Sequence, residues 1–272
     1  MDKHKLFGFT DVDHSNDPDY FIRFLDEASA EESFQAYKQH SFALLDLQPG
    51  QHVLEVGCGT GEDSRAMAQR VVPGGRVVAV DGSQHMIDTA RQRGEGCSLP
   101  LEFQVADAHR LPFADDSFDA SRADRIFMHL ESPAQALREM KRVTRPGGRV
   151  LVYEVDFETL TLDLPQRERT RKIVNTWSDG FRNGWLGRHV PALFREAGLE
   201  DVHITPATLW LRYPVAMQMV GPATVERACA AGLLTATEGE DWLGQLHQRY
   251  EAGLLFSTLT GFLVVGCKPQ NG

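Results

Sequence analysis

Between residues 51 and 155 the chain alternates short β-branched runs with stretches whose apolar residues recur at helical spacing. Val53-Leu54-Glu55-Val56 predicts a first strand. Glu62 to Val71 predicts a helix with Met67 and Val71 on one face, and Gly74-Gly75 turns the chain into a second strand, Arg76 to Val80. Ser83 is placed to cap a helix that runs to about Arg93. Leu101 to Val105 and Phe118 to Ala123 predict the third and fourth strands. Pro133 to Thr144 reads as a helix with Ala136, Leu137 and Met140 inward, and a Pro146-Gly147-Gly148 turn leads into a fifth strand, Arg149 to Val155. Strands and helices alternating in this way imply a parallel sheet covered on both faces.

The flanking segments are less regular. Residues 1–50 read as largely helical and carry Phe9, Tyr20, Phe21, Phe24, Phe34, Tyr37 and Phe42. Residues 164–198 read as helical with Gly198 as the stop, and residues 214–253 as a further helical stretch. Val202 to Leu211 and Gly261 to Lys268 are β-prone. The expected division is an N-terminal helical cap over 1–45 and one domain over 46–272, with helical insertions at about 157–190 and 214–256.

Composition narrows the function classes. A formal net charge of -10 argues against sequence-independent binding to nucleic acid. Cys58, Cys97, Cys229 and Cys267 are far apart and unpaired in spacing, so neither a metal site nor a disulfide framework is expected. Met1 to Lys5 is charged with no apolar run behind it, and no stretch reaches membrane-spanning length. A cytoplasmic protein without a membrane or nucleic-acid partner, acting as monomer or homodimer, is the expectation.

The chemistry is concentrated in Glu55-Val56-Gly57-Cys58-Gly59-Thr60-Gly61, between the first strand and the helix after it. Glycines there let a ligand approach the backbone, and amides at a helix start favour an anionic group. The dinucleotide fingerprint G-x-G-x-x-G needs a glycine where Glu62 stands, and a carboxylate there opposes a pyrophosphate. Asp81 ends the second strand, where a carboxylate accepts both hydroxyls of a ribose. Asp107, in Ala106-Asp107-Ala108 after the third strand, is placed for an adenine edge, although it reads equally as a helix cap.

At these residues the chain resembles the class I S-adenosylmethionine-dependent methyltransferases, in particular the group of ubiquinone/menaquinone-biosynthesis and other small-molecule enzymes. The resemblance covers about residues 45–156 and includes Val78 to Ser83, Val105 to Phe113, Phe118-Asp119 with Ile126 to Leu130, and Arg142 to Val150. It implies a Rossmann-like α/β fold with a seven-stranded, mostly parallel sheet of order 3-2-1-4-5-7-6, the last strand antiparallel, helices on both faces and a helical cap. It implies S-adenosyl-L-methionine as cofactor and a small-molecule methyl acceptor. Glu55, Gly57, Gly59 and Gly61 would belong to the glycine-rich motif, with the three glycines near the methionine part and the ribose. Asp81 would hold the ribose, Gly82 and Met86 would border the adenine, and Asp107 with Ala108 would meet its amino edge. Asp124 and Arg125 would lie near the methionine part, where many relatives carry small residues.

Methyl transfer is an in-line displacement at a carbon activated by its sulfonium, so the protein supplies binding and alignment. A base is needed only where the acceptor must lose a proton. His129 and Asp156 are the candidates, each with an alternative as a packing or capping residue. Tyr20 and Tyr37 could cover the cofactor or face the sulfonium. The acceptor pocket is expected from residues 1–45, 157–190 and 214–256, the last rich in Met219, Leu234, Trp242, Leu246 and Phe256, with Trp177, Phe181 and Trp185 adding to it. A small aromatic or polyketide-like acceptor suits such walls. A non-catalytic or cyclisation-type S-adenosylmethionine-binding protein and an NAD-dependent oxidoreductase are the alternatives, the second opposed by Glu62.

Overall fold

The computed structural model describes residues 9–270. Met1 to Lys5, read above for targeting, lie outside them. Two helices come first, α1 (Asp19–Ser29) and α2 (Glu32–Leu45). The alternating region follows the predicted pattern: β1 (His52–Val56), α3 (Glu62–Val71), β2 (Arg76–Asp81), α4 (Gln84–Gly94), β3 (Leu101–Val105), β4 (Phe118–Asp124), α5 (Pro133–Val143) and β5 (Thr144–Val155). The Pro146-Gly147-Gly148 turn is an excursion inside β5. Phe118 pairs with Thr144 and Ala120 with Arg149, so the intervening residues bulge out of register.

After β5 come a two-residue strand β6 (Thr161–Leu162), α6 (Arg167–Ser178), α7 (Leu186–Glu196), β7 (Glu200–Trp210), α8 (Tyr213–Val220), α9 (Pro222–Ala230), α10 (Ala236–Glu251) and β8 (Ser257–Cys267). The two helical stretches expected at 164–198 and 214–253 are therefore two and three separate helices. Pro214 and Pro222 open α8 and α9, where a missing amide is tolerated. A capping box at Thr235 and Glu238 starts α10.

The sheet runs β3-β2-β1-β4-β5-β8, with β7 on the far side of β8 and β6 against the start of β8. Apart from the short β6, this is the expected order, with β8 antiparallel to both β5 and β7. Side chains alternate between two cores. On one face Val53, Val77, Leu151 and Tyr153 pack with α2, α3, α6 and α8–α10. On the other, Leu54, Val56, Val150 and Val152 pack with α5 and α7. Each such fully buried aliphatic side chain contributes about 1.5–3 kcal/mol.

The first core also encloses charge. Arg122, in β4, is 0 % exposed. Its guanidinium meets Glu55 of β1 at 2.6 Å, Asp63 of α3 at 3.1 Å, Asp124 at 2.5 Å and the Ser41 hydroxyl of α2 at 3.1 Å. Lys38 of α2 reaches Asp63 at 3.0 Å, and Tyr37 donates to Asp124 at 3.1 Å. Burial pushes Glu55 up to about 7 against the pull of Arg122. Burial also opposes ionisation of Asp63, but Arg122 and then Lys38 hold it below the usual carboxylate range. Glu154, at the end of β5, is buried too, and its oxygens accept backbone amides from Met128 and Val155 at 3.1 Å each. Burial pushes Glu154 up to about 8.

Two predictions follow from these buried charges. Arg122→Met leaves Glu55, Asp63 and Asp124 without their shared cation, and urea unfolding at neutral pH is expected to show a loss of about 3–5 kcal/mol. A loss below 1 kcal/mol would refute the arrangement. The second concerns pH. Glu154 has a folded pKa above its unfolded value of 4.5, so the folded state holds the proton more tightly. The associated stability is complete below 4.5 and is lost as pH rises towards about 8. The loss is at most about 1.4 kcal/mol for each unit separating the two values. Glu154→Gln is expected to flatten the fall in unfolding free energy between these limits, and a pH dependence identical to the wild type would overturn the assignment.

Candidate functional site

A cavity of about 690 Å³ lies beyond the carboxyl ends of β1, β2, β3 and β4. Open parallel sheets bind ligands at this edge, and the size suits a nucleoside-bearing ligand with room beside it. Gly57, Gly59, Asp81, Gly82, Met86, Asp107, Ala108, Asp124, Arg125 and His129 all line it. Residues far apart in the chain are thus brought to one space by the sheet order alone.

The glycine-rich turn is fastened before any ligand arrives. Gly57 and Cys58 donate to Val80 O at 2.7 and 2.9 Å, and Gly59 donates to Asp81 Oδ2 at 2.9 Å. These three amides are therefore taken up by the protein, because pairing with β2 continues into the turn. Gly57 has φ +76°, and a Cβ there would fall 2.1 Å from Ile126 Cγ2 at the cavity wall. Gly61 faces the other way. It caps α3 at φ +74°, and a Cβ would meet the Phe103 ring at 2.6 Å. Its glycine serves helix packing rather than the cavity.

Asp81 is the pivot of this end. Oδ1 accepts Ser83 N and Oδ2 accepts Gly59 N, at 2.9 Å each, so one carboxylate holds both loops that flank it. Burial raises its pKa, offset by those amides. Asp107 Oδ1 accepts the His109 amide at 2.9 Å and faces His109 Nδ1 at 2.7 Å. His109 Nε2 accepts Ser132 N at 3.1 Å, so the ring carries its proton on Nδ1 and donates it to Asp107.

At the end of β4 the chain adopts a left-handed conformation at Arg125, φ +56°, uncommon for a residue with a side chain. Its amide donates to Tyr153 O at 2.8 Å. The guanidinium pairs with Asp124 at 3.0 Å and lies 5.0 Å from the centre of the Phe34 ring. Side chains, and not the backbone alone, are therefore engaged at 124–125. His129 follows on a single turn, Phe127–His129. Its ring lies 5.5 Å from that of Phe9. Burial, then the nearby Arg125, push its pKa down to about 4, leaving a neutral imidazole facing the cavity at physiological pH.

Five of the residues singled out from sequence, Glu55, Gly61, Tyr20, Asp156 and Tyr37, lie off the cavity lining. Glu55 is beneath it, bonded to Arg122 and to the Ser64 hydroxyl. Gly61 is behind it. Tyr20 packs edge-on against Phe21, 5.6 Å between ring centres, in a small cluster with Val12 and Met86. Asp156 is buried, caps the turn Phe157–Thr159 through Glu158 N at 3.2 Å, and pairs with Arg188. It matches the capping alternative and does not face the ligand space. Tyr37 is stacked on Tyr153 at 3.9 Å and stays below the cavity.

The wall opposite the sheet comes from within residues 1–45; Phe9 and Phe24 were named from sequence, whereas Val12, Asp13, His14 and Leu25 were not. Val12, Asp13 and His14 cross the cavity beside Phe9, with Phe24 and Leu25 of α1 further along. Asp13 holds this strap in place. It accepts Gln84 N at 2.8 Å, His85 N at 3.1 Å and the Ser83 hydroxyl, and so caps α4 from a distant part of the chain. Asp26–Arg93, at 2.7 Å, and Asp19–His85, at 3.0 Å, add to the closure. Met128, Leu130, Glu131 and Arg182 complete the lining. No residue of 214–256 takes part. Val215, Met219, Leu234, Trp242 and Leu246 pack instead with Ile173, Val174 and Trp177 of α6, and Trp177 meets Phe157 and Phe181 edge-on. These apolar faces are consumed by helix packing.

Among the described residues no helix is long and apolar enough to cross a membrane, and no group of three His, Cys, Asp or Glu side chains is placed to hold a metal.

Comparison with known proteins agrees with this geometry. The family model described as a methyltransferase domain matches residues 54–152. The chain is 31% identical to methyltransferase GfsG of Streptomyces halstedii, over 79% of this chain and 73% of that protein. It is 33% identical to the demethylmenaquinone methyltransferase of Bacillus cereus, over 65% of this chain and 82% of that one. Among solved structures, the YcgJ protein of Bacillus subtilis shares the fold at a TM-score of 0.62 and 21% identity, covering 85% of this chain and 99% of that chain. The chain therefore belongs to the class I S-adenosylmethionine-dependent methyltransferases, with S-adenosyl-L-methionine as its cofactor.

Proposed function

We propose that this enzyme methylates an oxygen, nitrogen or carbon of a small aromatic or lipophilic metabolite, of the secondary-metabolite or quinone kind. The observation that carries this reading is the division of the cavity. One end is polar and built on Gly57, Gly59, Asp81 and Asp107. The other is walled mainly by Phe9, Phe24, Leu25, Met128 and Leu130 around a neutral His129, with Glu131 and Arg182 beside them. A quinone-like acceptor also accords with the demethylmenaquinone methyltransferases to which the chain is similar.

The cofactor supplies an activated methyl group on a sulfonium. Asp81 accepts the ribose hydroxyls on lone pairs that Gly59 and Ser83 leave open. Asp107 and the Ala108 amide read the adenine edge, and Gly82 and Met86 flank the ring. Gly57, Gly59 and the Asp124–Arg125 pair border the methionine part. Glu55, Gly61 and Tyr20 act from behind these groups, by holding β1, α3 and the strap in place. The strap and α1, within the cap at 1–45, exclude water from the site, while the helices within 157–190 and 214–256 brace the domain. His129 accepts the acceptor's proton where one must leave. A neutral imidazole can do this without placing a bare carboxylate among the apolar side chains.

Asp81→Asn keeps the size but removes the charge and one of the two acceptors that hold Gly59 N and Ser83 N. Calorimetry is expected to show S-adenosylhomocysteine binding weakened at least about tenfold, near 1.4 kcal/mol, in protein that remains folded. Unchanged affinity, or tighter binding of NADH than of S-adenosylmethionine to the wild type, would refute this arrangement.

A further inference from the structure

His129 stands on a turn too short to hold itself. Two backbone bonds close it, from His129 N to Ile126 O at 2.9 Å and from Leu130 N to Phe127 O at 3.2 Å. Its other polar groups must find partners elsewhere. Glu154 takes the amide of Met128 from the sheet side. A single side chain takes the carbonyls from the opposite side. Asn183 Nδ2 lies 3.2 Å from Phe127 O, 2.8 Å from Leu130 O and 3.5 Å from Met128 O.

Asn183 comes from the loop between α6 and α7, which is itself firmly seated. Its carbonyl accepts Leu186 N at 3.1 Å, and Gly184 O accepts Phe157 N at 3.1 Å. Gly184 packs so closely that a Cβ there would lie 2.2 Å from Ser178 O. The adjoining Arg182 lines the cavity beside His129 and Leu130. The Asn183 amide therefore spends its hydrogens outside its own loop, on the turn that carries the imidazole.

We propose that Asn183 is a positioning residue, holding the His129 turn so that the imidazole stays sealed against the acceptor end of the cavity. This rests on the reading of His129 given above. Asn183 touches no cofactor-facing group, so its removal acts through the orientation and burial of His129. The requirement is for a donor of this size. A carboxylate in the same place would repel the carbonyls it now serves.

The test needs no acceptor. The full chain, loaded with S-adenosylhomocysteine, is labelled with ¹⁵N, and the imidazole signals are titrated by long-range ¹H–¹⁵N correlation in wild type, Asn183→Asp and Asn183→Ala. In the wild type His129 is expected to titrate far below the usual 6.5, in the direction of about 4. Asn183→Ala should move its midpoint up by about one pH unit or more as the ring gains water, and Asn183→Asp further because its carboxylate also favours the imidazolium, with S-adenosylhomocysteine affinity retained. Asn183→Ala adds no charge, so its shift is the one that reports the loss of the Asn183 donor. Asn183→Ser retains a shorter donor and gives the same readout if the other variants do not fold, with a smaller shift expected. A low His129 midpoint that stays put in every folded variant overturns the role of Asn183. A wild-type midpoint at the ordinary value shows that the ring is not sealed, and overturns both this inference and the reading of His129 beneath it. Loss of S-adenosylhomocysteine binding in the wild type would instead strike the cofactor assignment.

Discussion

The arrangement depends on one buried guanidinium. Arg122 sits inside a parallel strand where apolar side chains are the rule, and it draws Glu55, Asp63 and Asp124 to itself. Each carboxylate belongs to a part of the site's frame. Glu55 is two residues before the glycine-rich turn, Asp63 is in the first turn of α3, and Asp124 ends β4 at the cavity. The Ser41 hydroxyl adds α2 to the same centre. An ion taken out of water costs several kcal/mol, so such a cluster persists only when every member is paired. Lys38, Arg122 and Arg125 against Glu55, Asp63 and Asp124 meet that condition.

From this centre the geometry of the cavity follows in steps. The β1 turn is tied to β2 through Val80 O, and Asp81 then ties Gly59 to Ser83. Ser83 and the α4 amides hold Asp13, and Asp13 brings the strap across. Polar bonds are used here as alignment devices more than as sources of stability, since a typical hydrogen bond adds only about 1 kcal/mol net. Their value lies in direction: each fixes where the next loop can go.

The legibility of these features differs for physical reasons. The strands and helices of 52–155 were readable because each buries a periodic face. Gly57, Gly59, Asp81 and Asp107 were readable because turn chemistry is local in sequence. The order of β7 and β8 came from the family resemblance, since both are β-prone and nothing in either states its neighbour. Asp13 gave no signal, because its partners lie some 70 residues away and its own segment has no periodicity. The apolar residues of 214–256 misled for a related reason. Trp242 or Leu246 has the same composition whether it faces a ligand or α6, and only the packing decides. Asp156 followed the same logic. Its place after β5 suits a base or a cap, and Arg188, which settles the matter, arrives from α7.

Charge balance gives the acceptor end its chemical character. Methyl transfer consumes the positive charge of a sulfonium, so the transition state is less charged at sulfur than the reactant. A bare carboxylate close to that sulfur would stabilise the reactant more than the transition state and slow the step. Asp124 stands at the end of β4, near where the methionine part is proposed to lie, but its charge is shared with Arg122 and Arg125 and its remaining contact is the Tyr37 hydroxyl. His129 contributes no charge at neutral pH, and the walls around it include Phe9, Phe24 and Met128 as well as Arg125 and Arg182. On the reading proposed above, the buried ion cluster therefore has a second consequence. By neutralising Asp124 from below, it lets the site keep a rigid polar frame without an unpaired carboxylate at the end of β4. A frame built on an unpaired aspartate would hold its loops as firmly, but it would oppose the loss of charge on which the reaction depends.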